Sequence, residues 1–109
     1  VASIFDEVDT GVSGRAADKI GRKLAEVSQY RQVLCVTHLA QVAAYAGQHL
    51  YICKSTRDGR AFTEVHPLEG DGRVKELARI ISGDHVTQAA LLNAGEMIAE
   101  ARRKAEQSE

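Results

Sequence analysis

Short apolar runs alternate with amphipathic stretches along this chain, and the spacing shifts between the two periods that mark strands and helices. Ile4-Phe5 closes an apolar run and is followed at once by Asp6-Glu7, the pattern of a buried strand opening onto a polar edge. Asp9 to Gly14 is rich in turn formers. Ala16, Ala17, Ile20, Leu24 and Val27 then recur at helical spacing among Arg15, Asp18, Lys19, Arg22, Lys23 and Glu26, which predicts an amphipathic helix with Ser13 as its N-cap. Val33 to Val36 predicts a second short buried strand ending at Thr37-His38, and a helix is expected from Ala40 to about Ala46, stopped by Gly47. Leu50 to Lys54 and Ala61 to Leu68 flank Asp58-Gly59, a strong hairpin signal. Pro67 is expected near the end of its strand, where a missing N–H is harmless. Val74, Leu77, Ala78 and Ile81 mark a helix stopped by Ser82-Gly83, and Thr87 to Lys104 a long helix with a charged, fraying end.

The order strand, helix, strand predicts a right-handed crossover and a parallel pair. The fold class that follows is α/β: a small, mostly parallel sheet with an added antiparallel hairpin and flanking helices. No repeat, linker or low-complexity tract divides the 109 residues, so residues 1–109 are expected to form one unit, and a hydrophobic fraction of 44% is enough for a core. No apolar run approaches the roughly 18 residues of a membrane span, and Val1 to Phe5 lack a basic n-region. Opening in mid-strand without a methionine, the chain reads as an excised piece of a longer protein. A net charge of −1 supplies no basic field for gripping a phosphate backbone. Cys35 and Cys53 sit inside apolar runs, and reduced, buried thiols are expected rather than a disulfide.

The chemistry is concentrated in Ile4-Phe5-Asp6-Glu7-Val8-Asp9. Two adjacent carboxylates at the tip of a buried strand suit a nucleotide–metal site, where the first holds Mg²⁺ and the second faces the attacking water as a general base. Asp9 follows and begins a turn into a helix. About one βαβ unit later the second strand ends in Thr37-His38, and neighbouring parallel strands present their C-terminal ends on the same edge. The acidic pair and His38 are therefore expected to converge, with the histidine able to donate to a phosphate oxygen or position a water.

This combination resembles the second half of an ABC-type ATPase head, the C-terminal portion that carries the Walker B, D-loop and switch-histidine elements of a partial P-loop NTPase. The finer resemblance is to the RecN family, relatives of the SMC proteins. It is carried by Phe5-Asp6-Glu7-Val8-Asp9-Thr10-Gly11-Val12-Ser13-Gly14 and by Val36-Thr37-His38-Leu39-Ala40-Gln41-Val42-Ala43-Ala44, with the hairpin and Arg73-Val74-Lys75-Glu76-Leu77-Ala78-Arg79 also similar. The resemblance implies that Asp6 binds Mg²⁺ through water, Glu7 activates the hydrolytic water, His38 contacts the γ-phosphate and Asp9 acts across a head–head dimer. It implies ATP and Mg²⁺ as cofactors of the complete protein, and as partners the N-terminal half of the same head, a second head in an ATP-dependent dimer, and DNA through the parent protein. A cytoplasmic, nucleoid-associated bacterial protein of recombinational double-strand-break repair is the implied setting, with no membrane partner.

The missing parts bear on activity. Gly14 to Lys23 has neither the spacing nor the Ser/Thr of a phosphate-cradling G-x-x-x-x-G-K-[ST] loop, and no Q-loop is visible. Ile81-Ser82-Gly83-Asp84 lies after the acidic strand and reads as a helix stop rather than a signature motif. The chain alone is therefore expected to be inactive and to self-associate. Among rival readings, Gly11-Val12-Ser13-Gly14-Arg15 fails the last position of a hydrolase elbow. A zinc site drawn from Cys35, His38, Cys53 and one of His49, His66 or His85 conflicts with strand alternation. The alternative from a different class is a non-catalytic interaction module docking through the last helix, whose Val86, Ala89, Ala90, Leu91, Leu92, Ala94, Met97 and Ile98 form a broad stripe.

Overall fold

The computed structural model describes residues 2–6 and 14–107. Along the chain run β1 (Ala2–Asp6), α1 (Gly14–Val27), β2 (Gln32–Val36), α2 (Ala40–Ala43), β3 (His49–Arg57), β4 (Arg60–Leu68), α3 (Gly70–Ser82) and α4 (Gln88–Gln107). β1 and β2 pair in parallel with α1 as the connection, Ala2 opposite Gln32 and Asp6 opposite Val36. β3 and β4 pair antiparallel, from His49 opposite Leu68 to Arg57 opposite Arg60. Asp58 (φ 50°) and Gly59 (φ 76°) both take positive φ, as the two-residue primed turn demands. The architecture is the expected mixture of parallel pair, antiparallel hairpin and helices. The hairpin, however, forms a sheet of its own instead of an added edge on the parallel pair.

Two boundaries differ from expectation for physical reasons. Both hairpin strands are nine residues long, because the pairing runs through polar Ser55-Thr56-Arg57 up to the turn. Helix α2 is shorter than expected and hands over at Ala44, not at Gly47. Its last carbonyls are taken by tightened i→i+3 bonds, from Tyr45 N to Val42 O (3.1 Å) and Ala46 N to Ala43 O (3.1 Å). They are also taken by the Arg73 guanidinium, so no glycine is needed there.

The core lies among α2, α3 and α4. Its buried members are Ala40, Ala44, Leu77, Ala78, Ala90, Ala94 and Ala101, with Val74, Ile81, Leu91, Met97 and Ile98 partly buried against them. Ala90, Ala94, Met97, Ile98 and Ala101 share one face of α4 at helical spacing, so most of the stripe read from the sequence is core. Leu92, at 62% exposure, is on the outside. Small alanines let the helices approach closely. The one large side chain fully out of solvent among the described residues is Leu77.

Helix α1 docks on this layer through a polar clamp. The Tyr45 hydroxyl donates to Asp18 Oδ1 (2.8 Å), and Lys104 Nζ donates to Asp18 Oδ2 (3.1 Å), which ties α1 to the turn after α2 and to α4. Burial and then the Asp18 carboxylate push the Tyr45 phenol up to about 12. Burial alone would raise Asp18, but the hydrogen bonds from Lys104 and Tyr45 and the charges of Lys104 and Arg22 together outweigh it and leave its pKa lowered. The clamp closes because Gly21 has no side chain: a Cβ there would stand 2.5 Å from Tyr45 Cδ2 and 3.2 Å from the Gln41 carbonyl oxygen. Gly21→Ala should therefore cost about 1–3 kcal/mol by overpacking, against the small gain in helix propensity. Urea unfolding of the two proteins measures this, and an alanine variant as stable as the parent would show that Tyr45 can swing aside freely.

The strands differ most from expectation. They were expected to be buried, yet Ile4 is 71% exposed, and Leu34 and Val36 are 48% and 45% exposed. The register sets Ile4 opposite Leu34 and Asp6 opposite Val36, so these side chains share one open face of the pair. Residues 3, 5, 33 and 35 alternate onto the other face and are half-buried. A second open apolar patch lies on the hairpin, where Ile52 pairs with Val65 beside Leu50.

Candidate functional site

The parallel register fixes where the candidate residues stand. Asp6 is the last residue of β1 and lies level with Val36, the last residue of β2. The C-terminal ends of both strands thus form one edge, with Asp6 on one strand and Thr37-His38 leaving the other. Both Asp6 and His38 are exposed there. A side-chain turn shapes the exit from β2: the Leu39 N–H donates to Thr37 Oγ1 (3.0 Å), which closes the chain around His38. Leu39 is still extended (φ −104°, ψ 125°) and caps α2 without a side-chain bond of its own. Helical pairing begins immediately after, with Ala43 N to Leu39 O (3.0 Å) and Ala44 N to Ala40 O (2.9 Å). His38 therefore occupies a strand–turn–helix corner at the same sheet edge where β1 ends in Asp6.

Glu7 and Asp9 lie outside the described residues, as does the expected N-cap Ser13. Helix α1 begins at Gly14 with φ 54°, a left-handed conformation that suits a glycine. At the opposite edge of the strand pair, Arg31 Nη1 donates to Ser3 Oγ (3.3 Å) and ties the entry of β2 to β1. Asp6 offers an exposed carboxylate, a hard oxygen donor. Among the described residues no three His, Cys, Asp or Glu side chains are grouped as metal ligands. A Mg²⁺ ion commonly takes one or two carboxylates and completes its shell with waters and phosphates, and the Asp6 carboxylate is a donor of that kind. Cys35 and Cys53 are half-buried, in different sheets, and not disulfide-bonded.

No family model matches the chain. The DNA repair protein RecN of Bacillus subtilis is 52% identical over 98 residues, 90% of this chain and 17% of that protein. RecN of Mycobacterium leprae is 47% identical over 100 residues, 92% of this chain and 17% of the relative. RecN of Deinococcus radiodurans is 46% identical over 96 residues, 88% and 17%. The chain carries a RecN-type sequence through nine-tenths of its length. This RecN-type segment spans only 17% of the length of the curated relatives it matches. A solved structure from a study of ATP-driven dimerization and DNA-stimulated activation of SMC ATPases superposes with a TM-score of 0.59. It is 23% identical and the match covers 77% of this chain and 50% of that one, a likeness of fold.

Nothing in the local sequence pattern assigns a separate role to Arg73. In the RecN-type segment it reaches from α3 to the end of α2, where its Nη2 donates to the carbonyls of Ala43 (3.3 Å), Ala44 (3.1 Å) and Ala46 (2.8 Å). The signal was available: Arg73 precedes buried Leu77 by four residues, which sets an arginine on the inward face of a helix. Tyr45 and Asp18 were likewise read only as members of their helices. Among the described residues no helix is long and apolar enough to cross a membrane.

Proposed function

We propose that this chain is the Walker B, D-loop and switch-histidine portion of an ABC/SMC-type ATPase head, within a RecN-like protein acting in recombinational repair of DNA double-strand breaks. The observation that carries the reading is the parallel register that sets Asp6 and the Thr37-His38 corner on one sheet edge. It gains support from RecN-type sequence along nine-tenths of the chain and from the SMC-type fold. In this reading Asp6 holds Mg²⁺ through water, Glu7 accepts the proton of the attacking water, and His38 donates to the γ-phosphate. Bound Mg²⁺ supplies charge neutralisation along the phosphates. Asp9 acts across a dimer of heads, and DNA is engaged through other parts of the parent. The setting is cytoplasmic and nucleoid-associated.

The open face of Ile4, Leu34 and Val36 belongs in this picture as the surface on which the N-terminal half of the same head packs. On its own, the chain lacks a phosphate cradle and turns over no ATP, and it self-associates by edge pairing or by exchange of an end element, favoured by that uncovered apolar face. A magnesium-dependent ATPase assay on the isolated chain, with light scattering at several concentrations, tests both statements. Turnover abolished by Glu7→Gln would overturn the first, and a strict monomer at high concentration the second. In the full-length protein, Asp6→Asn should remove magnesium-dependent hydrolysis, and unaltered hydrolysis would overturn the assignment itself.

A further inference from the structure

We propose that Arg73 is a positioning residue for His38, acting through α2; this rests on the reading of His38 given above. Helix α2 has four residues, far below the length at which a helix stands alone. Its geometry is therefore set by whatever holds its two ends. At the front, the Leu39 N–H is tied to Thr37 Oγ1, on the residue before His38. At the back, one nitrogen of Arg73 gathers the carbonyls of Ala43, Ala44 and Ala46. Between the ends lies one helical turn, bonded from Ala43 N to Leu39 O and from Ala44 N to Ala40 O. The path from the guanidinium to the histidine corner is a short series of hydrogen bonds with no gap. A cation at a helix C-terminus also opposes the partial negative charge of the free carbonyls.

Arg73 is itself well anchored. It stands on α3, whose Leu77 and Ala78 are fully buried against α2 and α4. It is partly buried, and burial followed by neighbouring Arg102 lowers its pKa. The strand end of β2 fixes His38 from one side and Arg73 fixes it, through α2, from the other. With Arg73 gone, the carbonyls of Ala44 and Ala46 lose this donor, that of Ala43 keeps only the Ala46 N–H, and the turn can shift. The histidine then stays on the correct strand but loses its aim, and small misplacements of a catalytic group can cost up to about a hundredfold in rate.

The test is a double-mutant cycle on ATP turnover by the full-length protein, with Arg73→Ala and His38→Ala singly and together. Arg73→Ala should lower kcat about tenfold or more, leave KM for ATP near its original value, and add nothing further when His38 is already alanine. Arg73→Lys should fall between, since an ammonium carries three donors on a shorter reach. A purely stabilising role predicts losses that multiply across the cycle, and that outcome overturns the proposal. So does unchanged turnover in Arg73→Ala when His38→Ala is slow. Normal turnover in His38→Ala would instead remove the reading of the site on which the proposal stands. If Arg73→Ala fails to fold, Arg73→Lys in both His38 backgrounds gives the same cycle with the cation retained.

Discussion

If Glu7 is the general base proposed above, Glu7→Gln in the full-length protein should leave ATP binding intact and lower hydrolysis by about 10²–10⁴-fold, the range for loss of a general base. The amide keeps the size and the hydrogen-bonding capacity of the carboxylate but cannot take a proton from water. In P-loop ATPases nucleotide affinity comes from the phosphate cradle and from Mg²⁺, which a substitution of the general base leaves in place. Glu7 follows Asp6 in the sequence, and Asp6 ends its strand level with Val36, two residues before His38. His38→Ala should slow turnover as well, through a lost donor to the γ-phosphate. Equilibrium binding of a fluorescent ATP analogue and steady-state hydrolysis, measured side by side, separate the two effects. Normal hydrolysis in both variants would mean that the chemistry lies elsewhere.

How much of this was legible follows from the range of each interaction. The hairpin turn could be read from two residues, because Asp58 and Gly59 must both take positive φ and few residue pairs do so cheaply. The parallel pair and its shared edge followed from strand–helix–strand order, which constrains topology strongly. The end of α2 was misread because the groups that satisfy its carbonyls come from Arg73, 27 to 30 residues away in the chain. Local rules look for a glycine and found Gly47. The open face of β1 and β2 was misread for a related reason: an apolar strand reports that its faces are suited to burial, not which piece of protein buries them. Ile4, Leu34 and Val36 carry the apolar character of a central strand, and nothing among the described residues covers them. Gly21 gave no signal of its role, since its contact is the Tyr45 ring from the turn after α2, 24 residues on in the chain.

Leu77→Ala should destabilise this chain by about 2–5 kcal/mol, the cost of a large buried side chain reduced to a methyl. Most of the buried core around it is alanine, contributed by α2 (Ala40), the turn after it (Ala44), α3 (Ala78) and α4 (Ala90, Ala94 and Ala101). Side chains that short cannot bend into a vacated space, so the cavity stays and its cost is expected near the upper end of that range. Typical domains have only about 5–15 kcal/mol in total, which makes this a large share. Leu92→Ala is the matched control: the same chemical change on an exposed face of α4 should alter stability by about 0.5 kcal/mol or less. Urea unfolding followed by helical circular dichroism compares the two. Leu77 also stands one turn from Arg73 on the same helix, so a shift of α3 into the cavity would carry the guanidinium with it. In the full-length protein Leu77→Ala should therefore lower ATP turnover even at temperatures where the protein stays folded, whereas Leu92→Ala should not. Equal stability of the two variants would show that the α3–α4 layer is not the core on which the His38 corner rests.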